Sequence, residues 1–274
     1  MKPNNITHFF DLDGTLWNIK CNVWIIDKEN PSEPIIKIDS YEIKKILDDF
    51  YKNDDIKIEY DEQLYFISKK LFDKIQKKRK LPIERIGLSW AEHLNYDEIP
   101  DKNIEYLIYN IEHLKNQHIN ILTGRNNRKK QAPLLNKLRI KLKENSIDIF
   151  KIYFVSDRFY KKHEEIISYN KSKILLEHLV GVKIEENQFV AFKQDWFTNV
   201  HFYDDDKKNI DVANNMNDLL YNVLKNTVDD TIYKIVVERI QKYDLIIHTH
   251  LVSNNISNLF KNTSTKLMLP SYNL

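Results

Sequence analysis

Cysteine is almost missing from this sequence: Cys21 is the single one in 274 residues. One thiol excludes an internal disulfide and any multi-thiolate metal site, and it favours a reducing, intracellular compartment, taken as cytoplasmic. No stretch approaches the ~18 consecutive apolar residues of a membrane-spanning helix. The chain runs almost at once into an apolar strand, so no signal peptide is expected. A charge excess is missing too: 42 basic and 40 acidic residues, net +2, give no overall argument for a nucleic-acid partner. Glycine is scarce, with four positions, whereas Lys, Asn, Ile and Tyr are conspicuous. Their codons are A/T-rich, which points to an AT-rich genome, viral ones included, and says little about function. There is no internal repeat and no low-complexity linker.

What remains is a composition of globular type, 42% hydrophobic and 30% charged. The length suits one sizeable α/β domain with an insertion, or two small domains. Near the N-terminus, Phe9-Phe10-Asp11-Leu12-Asp13-Gly14-Thr15-Leu16 ends an apolar strand in a glycine loop. Carboxylates two residues apart on an extended chain point the same way. Asp11 and Asp13 are therefore expected to face one point past a strand's carboxyl end, where open α/β sheets bind ligands.

Three further elements follow. Ile119-Asn120-Ile121-Leu122-Thr123-Gly124-Arg125 is a second strand-to-loop element, and a hydroxyl followed by glycine there can present Oγ and N–H groups to a phosphate. Asn170 can cap a helix that begins with Lys171, Ser172 and Lys173, with Ile174, Leu175 and Leu179 facing inward. A cation at a helix N-terminus opposes the dipole, so lysine there needs an anion; Lys171 fits best and Lys173 is the alternative. Val200 to Asp206 reads as a strand ending in three adjacent acids, with Asn209 beyond. Such acids repel unless a cation is present, and a hard cation with oxygen ligands, Mg²⁺ first, is the natural partner. The pair is Asp204 and Asp205, or Asp205 and Asp206 in a register one residue along.

These four elements, in this order, resemble motifs I to IV of the haloacid dehalogenase-like (HAD) phosphohydrolase superfamily. The resemblance covers roughly residues 6–212, with 17–102 only loosely matched. It implies a Rossmann-like α/β core with a central parallel sheet flanked by helices. The core would be residues 1–16 and 103–215, with a flap and helical insertion over 17–102, a possible cap. A C-terminal α/β extension over 216–274 would pack on the core. It implies Asp11 as the nucleophile that takes a phosphoryl group and Asp13 as the general acid/base. Thr123 and Lys171 would stabilise the transferring oxygens, with Gly124, Arg125 and Asn209 contacting substrate. Mg²⁺ would be held by Asp11, Asp204 or Asp205 and the carbonyl of Asp13. A finer similarity, to Swiss Army Knife RNA repair-like and polynucleotide 3′-phosphatase domains, rests on Trp90, Leu-Thr-Gly-Arg, the Phe150 region, Lys171, Tyr-Asp-Asp and a late strand at Tyr233–Val237. It makes nucleic-acid ends or nucleotides one expected substrate class. A small-metabolite phosphatase and a non-catalytic binding module on the same scaffold are the alternatives. No membrane partner is expected.

Between the motifs, Val23–Ile26 and Ile35–Ile38 read as a hairpin around an Asn30–Pro34 turn. Helices are expected after Asp39-Ser40, over Glu62–Lys80, from Asn103 to His118 and from Asn127 to Glu144. The basic end of the Glu62–Lys80 helix reads first as a solvated, dipole-favoured terminus and second as a phosphate or RNA contact. Ile149–Val155 and Leu245–Val252 read as strands. His248 and His250 share one face of the last strand, a reading that favours packing over a metal pair for want of a third ligand.

Overall fold

The computed structural model describes residues 4–12, 14–16, 23–38, 55–60, 63–90, 118–124, 128–144, 146–155, 166–252 and 260–269. The chain divides into two compact units, Met1–Leu16 with Lys102–Leu274, and Trp17–Asp101. The expected helices after Ser40 and over 103–117 lie outside the described residues.

The larger unit is built on one mixed six-stranded sheet. Its strands are β1 (Asn4–Phe10), β7 (His118–Thr123), β8 (Asp148–Phe154), β11 (Phe197–Asp204), β12 (Ile246–Val252) and β13 (Phe260–Lys266), in the order β13-β12-β11-β1-β7-β8. Five are parallel and β13 is antiparallel to β12, so the sheet is not the purely parallel one expected. The chain moves outward from β1 through β7 to β8, then returns to β11 on the other side of β1. That reversal creates a switch point at the carboxyl ends of β1 and its neighbours, the place where such sheets hold ligands.

Helices flank this sheet: α2 (Arg128–Glu144), α3 (Ile166–Val180), α4 (Lys207–Asn214), α5 (Met216–Asn226) and α6 (Asp230–Lys242). Phe9, Val200, Phe202 and Ile247 of the sheet form one core with Ile174, Leu175, Leu220 and Val236 of the helices, all of them buried. A hairpin of β9 (Val182–Glu185) and β10 (Gln188–Phe192), which sequence reading passes over, adds Val182, Ile184 and Phe189 to this core. Its two turn residues, Glu186 and Asn187, both have positive φ, as a tight hairpin turn demands. Gly181 ends α3 at φ +70°, and a methyl there would stand 2.8 Å from Trp196 Cβ.

Tyr233–Val237 is not a strand but part of α6. Asp229 caps that helix by accepting from the N–H groups of Thr231 and Ile232. Ile232, Val236 and Ile240, four apart, turn inward, and this helical spacing overrides the β preference of the branched residues. Residues 216–274, expected as an extension packed on the core, add β12 and β13 to the same sheet. Asn170 does not cap α3, which begins at Ile166 and carries Lys171 in its second turn.

The smaller unit contains β2 (Val23–Asp27), β3 (Asn30–Ile38), β4 (Asp55–Tyr60), β5 (Gln63–Ser68), α1 (Lys69–Lys78) and β6 (Ile86–Trp90). β2 and β3 form the expected antiparallel hairpin, but its turn is at Lys28-Glu29 and the prolines lie within β3. β3 is an edge strand, the place where a sheet tolerates proline. The expected helix over Glu62–Lys80 is half strand. Leu64, Tyr65, Phe66 and Ile67 are β-favouring and pair with β4, and Ser68 Oγ then accepts from Leu71 N–H to start α1. Ile25, Ile35, Ile58, Ile67, Ile75 and Ile86 fill the core of this unit.

Candidate active site

The site forms where β1 and β11 end side by side. Phe10 pairs with Tyr203 and their rings stack at 4.3 Å, interplanar angle 5°. The next residues, Asp11 and Asp204, are thereby brought together. The backbone seals the register, since Asp11 N–H donates to the Tyr203 carbonyl at 2.8 Å. Asp11 is 6% exposed and Asp204 fully buried. Two buried carboxylates at this distance cannot both ionise without a counter-charge.

Lys171 supplies it. From α3 its Nζ lies 2.7 Å from Asp11 Oδ1 and 2.7 Å from Asp204 Oδ2. Burial alone would lower the lysine's pKa, but the two carboxylates outweigh it and hold the group above its usual range. The ammonium therefore stays charged throughout the physiological range. Lys173, the alternative, instead places its Nζ 4.7 Å over the Tyr169 ring, and burial lowers its pKa.

The acidic run divides its work. Asp204 Oδ1 accepts from Asp206 N–H, and Asp206 in turn caps α4 by accepting from Lys208 N–H at 2.9 Å. Asp205 belongs with Asp11 and Asp204: ligand oxygens of these three lie within 4.8 Å of one another. Gly14, at φ +80°, lets this happen. A methyl at that position would overlap the Asp205 carboxyl group, so only glycine satisfies both the turn and the neighbour.

Asn209, an expected substrate contact, holds a carboxylate. Its Nδ2 donates to both oxygens of Asp204, at 3.0 and 2.9 Å. Its Oδ1 accepts from Ser168 Oγ at 2.6 Å. Ser168 was missed by sequence reading; the available signal was its place on α3, three residues before Lys171 and so on the same helix face. Thr123 ends β7, the other neighbour of β1, and is fully buried with Gly124 after it. Asp13 and Arg125 lie outside the described residues.

Three carboxylates against one ammonium leave a formal charge of −2. That charge and an all-oxygen donor set match a hard divalent cation such as Mg²⁺ better than a thiophilic or imidazole-seeking metal. The residues fit the ion that the sequence resemblance implies. No family model, curated protein or solved structure matches the chain.

Proposed function

We propose that the protein is a Mg²⁺-dependent phosphatase that hydrolyses phosphate monoesters through an aspartyl-phosphate. The observation that carries the reading is the buried Asp11–Lys171–Asp204 cluster with Asp205 beside it, at the carboxyl ends of adjacent parallel strands. Uncatalysed hydrolysis of such esters is among the slowest reactions known, and a covalent intermediate divides its barrier.

In this reading an Asp11 carboxylate oxygen attacks phosphorus, and the bond from phosphorus to the leaving oxygen breaks. Asp13, whose role comes from the sequence resemblance, donates the proton that the leaving oxygen requires. Asp13 then takes a proton from water as that water attacks phosphorus, which releases inorganic phosphate and restores Asp11. Lys171 holds the nucleophile in one orientation and offers positive charge to the transferring oxygens. Ser168 and Asn209 keep Asp204 fixed through a hydrogen-bonded chain. Bound Mg²⁺, held by Asp11, Asp204 and Asp205, would supply charge neutralisation for an incoming phosphate.

The test is hydrolysis of an aryl phosphate with and without Mg²⁺ by the wild type and Asp11→Asn. Activity that disappears with chelator, and that Asp11→Asn lacks, is the expected result. Activity retained in Asp11→Asn overturns the mechanism. A panel of phosphorylated oligonucleotides and metabolite phosphates then separates action on nucleic-acid ends from action on small molecules.

A further inference from the structure

The smaller unit has 15 basic and 18 acidic residues over 17–101, yet one of its segments gathers positive charge. From Lys69 to Lys80, seven of twelve residues are basic and only Asp73 is acidic. Six of the seven, Lys69, Lys70, Lys74, Lys77, Lys78 and Lys80, are exposed. Arg79 pairs with Glu33 and Lys78 Nζ donates to the Ile35 carbonyl. Lys69, Lys70, Lys74, Lys77 and Lys80 have no ion-pair or hydrogen-bond partner among the described residues.

Dipole complementation explains Lys77 and Lys78, in the last turn of α1. It does not explain Lys69 and Lys70, which sit in the first turn, where the dipole disfavours cations and no acidic residue stands. Lys70, Lys74, Lys77 and Lys78 follow the spacing of a single helix face, a stripe of about 12 Å. Beside the stripe is a cleft of about 490 Å³, lined by Pro34 to Lys37 of β3 and by Lys74 and Lys78. Lys37, which also lines the cleft, holds its Nζ 5.0 Å over the ring of its cross-strand partner Trp24.

We infer that this face of α1 and the β3 cleft bind the backbone of a single-stranded nucleic acid. Regularly spaced, exposed lysines, of which Lys74 and Lys78 line the cleft, match a chain of regularly spaced phosphates. A lipid surface fits less well, because among the described residues of this unit no large hydrophobic side chain is exposed, whereas interfacial helices pair their cations with an apolar insertion face. The inference is independent of the hydrolytic reading, since none of these residues belongs to the Asp11 cluster.

The experiment is fluorescence anisotropy of a labelled single strand of about 20 nucleotides with the full-length protein, between about 50 and 200 mM salt. Affinity should fall with salt along a log–log slope of roughly −0.7 per phosphate neutralised, about −3 for the cluster. Lys70→Gln/Lys74→Gln/Lys77→Gln should weaken binding at least ~10-fold and flatten the slope by about 2. Asp73→Lys, on the same helix, should tighten binding and steepen it. Asp11→Asn should bind as the wild type does, which keeps this result distinct from failure of the phosphatase reading. A salt-independent signal, or a triple glutamine variant that binds like the wild type, overturns the inference. So does capture by phosphatidylserine-containing vesicles without capture of the oligonucleotide.

Discussion

Lys171 is the residue on which the candidate site balances. Removing its charge, as in Lys171→Met, leaves Asp11 and Asp204 buried and mutually repulsive, a change that typically costs about 3–5 kcal/mol. The expected outcome in urea unfolding is a large loss of stability, partly restored by added Mg²⁺. Gly14→Ala tests the turn itself. Its φ of +80° and the adjoining Asp205 carboxyl predict a loss of more than ~1 kcal/mol and a weaker Mg²⁺ affinity by calorimetry. Most of these residues were legible beforehand, for a physical reason: Asp11 and Asp204 end apolar strands, and chemistry-bearing residues at strand ends stand out against the runs before them. The partnership of Asn209 with Ser168 was not legible, because it joins two helices that are distant in sequence and its polar atoms carry no periodic signal.

At the scale of elements, α5 shows how far stability rests on a single buried stripe. Leu219, Leu220, Val223 and Leu224 face the core, and Leu220 is fully buried. Leu220→Ala is expected to cost about 2–5 kcal/mol in chemical unfolding, the usual range for truncating an enclosed leucine. The five parallel strands of the central sheet were readable because buried parallel strands appear as short apolar runs, whereas the polar, antiparallel β13 carries no such run and was not read. The misread elements share a cause. In α6, Ile232, Ile235, Val236 and Val237 form a β-branched run whose local preference conflicts with its helical burial spacing. In β5, Leu64 and Ile67 mimic a helical interval while pairing with β4. Short segments with both signals are decided by tertiary packing, which the sequence states only implicitly. The β9–β10 turn was missed for a different reason: Glu186 and Asn187 adopt positive φ without the glycine that usually marks such a bend.

At the scale of the whole molecule, the sheet carries two in-register ring ladders on one face. Phe10, Tyr203 and His250 form one across β1, β11 and β12, and His8, His201 and His248 form the other. His201 and His250 also approach nitrogen to nitrogen at 3.0 Å. Burial lowers the pKa of His248 and takes that of His250 down to about 4. The unfolded chain therefore binds protons that the folded sheet refuses. Stability should be full above pH ~6.5 and decline as pH falls toward 4, by up to about 3 kcal/mol from His250 alone. Urea unfolding from pH 7.5 to 4.5 checks this, and His250→Asn should flatten the profile.

The position of β1 also sets a timetable for the molecule's birth. The strand lies in the middle of the sheet, yet the contact between Asn5 and Thr198 spans 193 residues. At about 5–20 residues per second of synthesis, β1 waits roughly 10–40 s for β11 to leave the ribosome. Residues 17–101, a compact unit of their own, emerge whole during that interval. Until β7 and then β11 emerge, the nascent protein carries β1 without its sheet partners, which gives a chaperone reason to hold that strand.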